Sequence, residues 1–274
     1  MNQMHPFDRD IALTAISEHR YKISISDAWN VTNGPNGGYI AAIILNGMKL
    51  QLGAPQTRSI TFHFLSASVP GNAELQIDIE KRGRLLSTCT AKLIQGKRTI
   101  AQAIATFGPA REQYTFRDME MPSVPAPDDI TQDRWMNFDM KGHVSFRDHY
   151  DQRLTFGPIP PGKSERGLVG GWTKFRQSRA FDDLAIVAIS DSWFPGLLIK
   201  DTPEAMHAPT IDLTIHFMTS MPMASIAIDD FLLVEFSTEI AQEGYLIENG
   251  KIWSHDGVLI VVSRQLAIIL SQDS

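Results

Sequence analysis

The segment Gly34–Ile43, with the sequence GPNGGYIAAI, joins a glycine-rich turn to an apolar run. Glycine permits unusual backbone angles and close approach of another group, so the segment suits a tight turn that enters a helix. It equally suits a helix N-terminus directed at a substrate oxygen, because the first N–H groups of a helix have no acceptor within the helix. The pattern G-x-G-x-x-G is absent and no Gly-Lys-Ser/Thr follows, which excludes a dinucleotide fingerprint and a P-loop.

The apolar residues after the glycines predict a buried helix. The run from about Gly38 to Leu50 is apolar nearly all round, and a helix of that kind lies inside a protein and not on its surface. An antiparallel sheet is predicted after it, because three strand-like runs follow, separated by glycines. The runs are Ala73–Lys81, Leu85–Ile94 and Thr99–Phe107.

A second copy of this arrangement occurs later in the chain. Thr57–Phe64 (TRSITFHF) and Thr210–Phe217 (TIDLTIHF) match at four positions with a constant offset of 153 residues, as from Thr57 to Thr210. An apolar helical stretch, Phe181–Ile199, precedes the second copy, and three strand-like runs follow it. These runs are Phe231–Ile240, Gly244–Trp253 and Val258–Leu270, with turns predicted at Glu248–Gly250 and His255–Gly257.

The chain is therefore predicted to be a duplicated unit. Residues 109–140 carry four prolines and many acids, a composition typical of an extended linker. We expect an N-terminal unit over residues 1–108, the linker over 109–140, and a C-terminal unit over 141–274.

Composition limits the classes of partner. A net charge of −6 argues against nucleic acid or an anionic membrane as the main partner, because both favour clustered lysine and arginine. The single cysteine, Cys89, fits a reducing compartment, and no secretory signal or membrane-spanning run is visible. The eight histidines show no metal-binding spacing. We expect a cytoplasmic protein that takes a small-molecule partner and needs no metal.

Three stretches together resemble one known family. GPNGGYIAAI, TIDLTIHF and the late SRQLAIIL, in this order and spacing, resemble the double-hotdog acyl-CoA thioesterases, the thioesterase II-like group. The resemblance covers most of the chain apart from the linker. It implies an α+β fold of two tandem hotdog units, each a long central helix wrapped by an antiparallel sheet. It also implies hydrolysis of a fatty or other acyl-CoA without a cofactor, and possible association into homo-oligomers through the sheets.

The family site consists of a carboxylate, a hydroxyl and an amide from the second half. The carboxylate would be Asp191, which shares an apolar helical stripe with Leu184, Val187, Ala188 and Leu198. Burial raises the pKa of a carboxyl group, so an acid in such a place is a candidate for proton transfer. Alternatively, Asp191 caps the short segment after it, where Ser192 and Pro195 mark a helix break.

The amide would be Gln265 and the hydroxyl Thr210. Gln265 shares one strand face with small and apolar residues, where it would hold a water or the thioester oxygen, or else make a cross-strand hydrogen bond at a sheet edge. Strand alternation directs Thr210 outward with His63 and His216, which we expect at the surface or an interface. Thr210 reaches the site only if the regular strand begins after it, which the preceding Pro209 favours.

The opening segment supplies the predicted substrate contacts. The helix start, formed by Asn36, Gly37, Gly38 and Tyr39, would direct free N–H groups at the thioester carbonyl, and the glycines would leave room for the substrate. The sequence does not decide whether Asp191 acts as a base or as a nucleophile.

Other activities are less well supported by the residues. No G-x-S-x-G elbow is present for a serine nucleophile. A hotdog enoyl-CoA hydratase would need a histidine beside a central helix, and neither predicted helix has one. A non-catalytic acyl-CoA binder or scaffold on the same fold stays open, because a fold does not establish a reaction. The cluster Lys81–Arg84 is either a site for CoA phosphates or a solvated hairpin turn.

Overall fold

A computed structural model describes residues 4–32, 34–130, 144–160, 162–201 and 206–271. Two central helices pack against one long, curved set of antiparallel strands. The helices are α1 (Pro6–Asp10), α2 (Gly37–Leu52) and α3 (Asp183–Ile189), with short 3₁₀ turns at Asp27–Trp29, Pro127–Asp129, Ser145–His149 and Gly196–Ile199. The strands are β1 (Thr14–Ser17), β2 (Arg20–Ile25), β3 (Asn30–Val31), β4 (Gly34–Pro35), β5 (Thr57–Phe64), β6 (Gly71–Lys81), β7 (Ser87–Gln95), β8 (Arg98–Phe107), β9 (Tyr150–Phe156), β10 (Gly167–Phe175), β11 (Met206–His207), β12 (Thr210–Phe217), β13 (Leu232–Gln242), β14 (Tyr245–Trp253), β15 (Leu259–Ile268) and β16 (Leu270–Ser271).

Twelve of these strands form one sheet whose order shows the duplication. The order is β1-β2-β6-β7-β8-β5-β12-β15-β14-β13-β10-β9, so the second six strands repeat the first six in reverse. Each half contains two outer strands, a central helix and four further strands, of which the last three form a meander and the first pairs with the last. The predicted α+β double hotdog is confirmed by this topology.

The two halves meet where the sequence repeat lies. Strands β5 and β12 pair antiparallel at the centre of the sheet, with Thr61 directly opposite Thr214. The two hydroxyl oxygens are 3.0 Å apart and share a hydrogen bond. Because these residues occupy equivalent positions in the repeat, the pseudo-twofold axis passes between them.

Both central strands begin with the same irregularity. The pairing of β5 with β8 shifts between Thr57 and Ser59, and the pairing of β12 with β15 shifts between Thr210 and Asp212. A bulge of this kind changes which face the residues before it occupy. The first threonine of each strand therefore lies on the inner face with the buried residues, although alternation alone directs it outward.

Helix α2 is the buried helix that the sequence predicts. It begins after Asn36, whose side-chain oxygen accepts the N–H of Tyr39 at 3.0 Å, and it ends at Gly53 in the left-handed conformation (φ 83°). The residues from Gly38 to Leu45 are buried, and the helix packs on β6, β7, β8 and on α3. An asparagine cap and a C-terminal glycine explain both ends.

Helix α3 is much shorter than the predicted stretch Phe181–Ile199, and that prediction is wrong. The helix ends at Ile189, and the Ser190 hydroxyl donates to the Ile186 carbonyl at 2.8 Å. The N–H groups of Asp191 and Ser192 then make turn-like contacts with the last helical carbonyls. Serine and aspartate favour such local bonds, and Pro195 cannot continue a helix, so the chain turns here.

A buried polar cluster fixes the start of α3. The Asp183 carboxylate accepts the N–H and the hydroxyl of Thr57 at 3.1 and 2.5 Å and lies 2.5 Å from Nζ of Lys49. These contacts join α3 to the end of α2 and to the start of β5. These contacts fix the position of α3 relative to α2. The candidate site lies at the other end of this helix pair, where α2 begins and α3 ends.

The predicted turn at Glu248–Gly250 is also wrong, because these residues lie within β14 and pair on both sides. The reversal occurs at Glu243 and Gly244, both with positive φ. A side chain at Gly250 would collide with Ser263 and Phe236, so this glycine serves packing and not a turn.

The segment predicted as a linker has no helix or strand between residues 109 and 126. It lies along the second half, where Met121 and Val124 pack on a cluster that includes Trp253. The indole N–H of Trp172 donates to the Pro125 carbonyl at 2.9 Å. Residues 131–140 of this segment lie outside the described residues, and the unit boundaries stay a prediction.

Candidate active site

Asp191 is held at the start of α2 by groups from the first half. Its Oδ2 accepts the backbone N–H of Gly38 at 2.9 Å and the side-chain amide of Asn36 at 3.3 Å. The same amide donates to the Asp191 backbone carbonyl at 2.9 Å. The positive end of α2 therefore faces a carboxylate from the other half, which is a favourable arrangement.

The reason for the two glycines differs from the predicted one. A Cβ at Gly38 would meet the backbone carbonyl of Ala188 at less than any real contact distance, and a Cβ at Gly37 would lie 2.7 Å from Oδ2 of Asp191. The groups that pass close to this backbone belong to the last turn of α3 and to Asp191 just after it. The glycines are needed for contact between the halves, and this contact needs no substrate.

Some of the backbone N–H groups at the start of α2 that were predicted to be free for a substrate already have hydrogen-bond acceptors. The N–H of Gly38 is bonded to Asp191, and that of Tyr39 is bonded to Asn36. Tyr39 is fully buried, with its hydroxyl donating to the Asp10 carbonyl at 2.8 Å and accepting the Ser26 N–H at 3.1 Å. Gly37 is the first helical residue, so its N–H has no acceptor within the helix. Substrate contact at Gly37 stays a prediction.

Asp191 has the environment of a proton-transfer group. Burial raises its pKa to about 7, the N–H of Gly38 opposes that rise, and the charge of Glu248 adds to it. Asp191 as a whole residue is partly exposed, whereas Ser190 and Ser192 on either side are buried. A buried carboxyl group whose pKa lies near neutral pH is suited to general base catalysis. The alternative that Asp191 caps the following 3₁₀ turn is not what the structure shows, since that turn has no side-chain cap.

Thr210 and Gln265 lie together on the inner face of the sheet. The Thr210 hydroxyl donates to Oε1 of Gln265 at 3.2 Å, across the pairing of β12 with β15. The bulge between Thr210 and Asp212 places this threonine inward, as the family pattern requires. Gln265 does make cross-strand bonds, but β15 lies between β12 and β14 and is not a sheet edge.

Glu248 is a member of this cluster that the sequence did not reveal. Its Oε1 accepts the Gln265 amide N–H at 2.7 Å, and its Oε2 accepts the Gly196 N–H and the Thr238 hydroxyl, both at 2.8 Å. The side chain is 2 % exposed, and burial raises its pKa. Strand alternation was the available signal, because Glu248 lies on the same face as the buried Leu246 and Ile252. The Asn249-Gly250 pair suggested a turn instead.

These contacts form two groups, and the charge of Glu248 links them. Asp191 is bonded to Asn36 and Gly38, and Gln265 is bonded to Thr210 and Glu248. The second half thus supplies a carboxylate, a hydroxyl and an amide, while the first half supplies the helix start.

Two further features bear on ligands. The side chain of Arg82, in the basic hairpin Lys81–Arg84, donates to the Gln51 carbonyl at 3.5 Å, near the end of α2. A helix of 16 residues is about 24 Å long, so this hairpin lies far from the Asp191 end. Within the described parts of the chain, no helix has the length and apolar character to cross a bilayer, and no cluster of potential metal ligands occurs.

Solved structures show the same fold. A protein with a hot dog fold from Alicyclobacillus acidocaldarius has a TM-score of 0.86 and 21% identity, over 98% of this chain and 99% of that one. The acyl-CoA thioesterase II TesB2 from Mycobacterium marinum has a TM-score of 0.74 and 20% identity, over 97% and 98% of the two chains.

Two curated relatives match this chain over very different lengths. The thioesterase-like protein TwmA from Talaromyces wortmannii is 22% identical over 93% of this chain and 89% of its own length. The uncharacterized protein Mb0510 from Mycobacterium bovis is 31% identical over 90 residues, so the match spans 31% of the length of that relative.

Family models match both halves. The acyl-CoA thioesterase N-terminal domain matches residues 25–108, and the acyl-CoA thioesterase C-terminal domain matches residues 120–269. Because these two matches cover most of the chain, it belongs to the acyl-CoA thioesterase family and carries both of the family's domains.

Proposed function

We propose that this protein hydrolyses an acyl-CoA thioester to a free acid and CoA, with Asp191 as the general base. The observation that supports this most directly is a carboxyl group with a pKa of about 7 at the start of a central helix. A base is most effective when its pKa is close to the working pH. Family membership supports the substrate class, and the contacts of Asp191 support its assignment as the base.

The contacts suggest how a water would be held. Both hydrogen bonds to the Asp191 carboxylate, among the described residues, fall on Oδ2, which leaves Oδ1 for a water proton. The Gln265 amide has a second N–H beyond the one given to Glu248, and Thr210 keeps its oxygen lone pairs. In this arrangement one water would donate to Asp191 and Thr210 and accept from Gln265, and a lone pair on its oxygen would remain for attack.

The reaction would then proceed in two steps. The water oxygen attacks the thioester carbonyl carbon while Asp191 takes one water proton, and the carbonyl oxygen becomes negative. The carbon–sulfur bond then breaks, and the proton on Asp191 passes to the leaving sulfur. Donors at the start of α2, with the N–H of Gly37 first among them, would stabilise the transient oxyanion.

Thiol release from a graded series of acyl-CoAs tests this function. We expect turnover of at least one chain length, with CoA and free acid formed in equal amounts. The same acyl groups on a carrier protein should be run in parallel, since the chemistry at the carbonyl is identical. If acyl-CoA binds but no thioester is cleaved, the protein is a binder or scaffold, and the proposal is wrong.

A further inference from the structure

The Gln265 amide can lie in either of two orientations, and its neighbours decide which. With the oxygen toward Thr210, the amide nitrogen faces Glu248 and the candidate site. With the amide turned over, the oxygen would face Glu248 and the nitrogen would face Thr210. The two orientations have nearly the same shape, so the hydrogen-bond partners must select between them.

Glu248 selects the first orientation because an ionised carboxylate only accepts hydrogen bonds. Its three partners, the Gly196 N–H, the Thr238 hydroxyl and the Gln265 amide, are all neutral donors. An amide oxygen turned toward it would leave a buried carboxylate lone pair without a donor and set two acceptors against each other, which is costly.

This orientation determines what Thr210 offers to a ligand. The hydroxyl proton of Thr210 is given to Oε1 of Gln265 at 3.2 Å. The threonine oxygen is then an acceptor toward the site, while Gln265 is a donor toward it. In the reversed orientation both roles would change, and a water would be held with its protons directed elsewhere.

The duplicated half gives an independent observation. Glu248 pairs with Gln265, which pairs with Leu213. The equivalent pairs in the first half are Cys89 with Ala105 and Ala105 with Ile60. The repeat therefore has a fully buried cysteine where Glu248 stands and an alanine where Gln265 stands. The fold does not require an acid at this position, and the acid occurs in the half that has the amide.

We propose that Glu248 is a positioning residue for thioester hydrolysis: its buried carboxylate holds the Gln265 amide with N–H toward the site and thereby makes Thr210 an acceptor. This inference rests on the proposed function. It concerns a residue that reaches the reacting atoms only through Gln265.

The charge of Glu248 provides a second readout. It raises the pKa of Asp191, and among the described residues Tyr150 is a further titratable group that interacts with Asp191. A neutral side chain at position 248 removes one negative charge from this set, so Asp191 should ionise at lower pH. This shift tests whether Glu248 is ionised beside Asp191, and the variants below test whether Glu248 acts through Gln265.

Glu248→Gln is the central variant, since it keeps the shape and removes the charge. We expect kcat to fall about tenfold to a hundredfold with KM changed less than about threefold, and the acid limb of kcat/KM to move to lower pH. Glu235→Gln on β13 is the matched control, because Glu235 pairs with Lys251 and has no contact with Gln265. It should behave as the wild type.

A double variant shows whether Glu248 acts through Gln265. Glu248→Gln added to Gln265→Ala should slow kcat no further, whereas two multiplying losses would overturn the inference.

If Glu248→Gln does not fold, Thr238→Val, which removes one donor to the carboxylate, should lower kcat severalfold, and an unchanged kcat overturns the inference. If the wild type hydrolyses thioesters and the Glu248→Gln variant is equally active, only the positioning role is overturned. A wild type that cleaves no thioester overturns the proposed function and this inference with it.

Discussion

The carboxylate of Asp191 accepts a hydrogen bond of 2.9 Å from the backbone N–H of Gly38, although the two residues belong to different halves of the chain. Neither half has this pair alone. The glycines at the start of α2 let the C-terminal end of α3 and Asp191 approach, and the start of α2 holds the Asp191 carboxylate. The candidate site is therefore built by the contact between the two units.

The hydrogen bond from Asn36 lowers the pKa of Asp191, and Asn36→Asp tests this effect. Aspartate caps a helix as well as asparagine does, so the start of α2 should persist. The amide that donates to the Asp191 carboxylate is replaced by a second negative charge, which raises the pKa of Asp191 further. We expect the acid limb of kcat/KM to move to higher pH. Asn36→Ser, which keeps a cap without adding charge, should shift it less, and equal profiles for all three proteins would contradict this role.

Protonation of Asp191 should also affect the stability of the folded protein. Burial raises its pKa from 3.8 to about 7, so the folded state binds this proton more tightly than the unfolded state does. The Asp191 contribution to stability is therefore present at low pH and is lost as the pH rises through about 7. Asp191→Asn removes this loss, so the Tm of the variant minus that of the wild type should increase between about pH 4 and pH 7 and then level off. A constant difference would show that the pKa is not raised.

Gln265→Ala should slow turnover by roughly tenfold to a thousandfold, the range expected when a group that holds a water or an oxyanion is lost. KM should change less than kcat, because the amide is proposed to act on the reacting atoms. Gln265→Glu is a useful companion, since it keeps the size but places a second acid against Glu248. A normal rate with a lowered Tm would assign Gln265 to stability alone.

Gly38→Ala should lower both stability and activity. Its Cβ would meet the backbone carbonyl of Ala188, which cannot move as a flexible side chain can, so the C-terminal end of α3 must shift away from α2. A core overpacked in this way is destabilised by about 1–3 kcal/mol. Gly37→Ala meets the Asp191 carboxylate and should therefore cost relatively more activity than stability. Denaturant melts and kcat/KM for both variants test the contrast.

Much of the fold follows from the sequence because the repeat is visible. The matching threonine, histidine and phenylalanine positions predicted two equivalent strands, and these two strands form the seam of the sheet. Glycine and asparagine placed α2 correctly to within a residue or two. The length of α3 was not predictable from apolar spacing, because the stripe continues through a turn that serine and proline produce.

The candidate site was predictable in part. Asp191, Thr210 and Gln265 were named from the family pattern, and their catalytic roles stay a prediction. The inward direction of Thr210 depends on a bulge, which strand alternation does not encode. Glu248 was missed because an Asn-Gly pair after an acid is typical of a turn, whereas pairing with both neighbouring strands fixed it in β14. Such pairings between distant residues decide the site and are absent from local patterns.

The most direct test of the central claim compares thiol release by the wild type and by Asp191→Asn on the best acyl-CoA of the series. The amide can still accept the N–H of Gly38 but cannot take a proton from water, so the variant should stay folded. We predict that its kcat falls by at least a hundredfold, the lower range of general base catalysis. A folded Asp191→Asn that keeps more than about a tenth of the wild-type kcat, a loss below ~1.4 kcal/mol, would contradict Asp191 as the base.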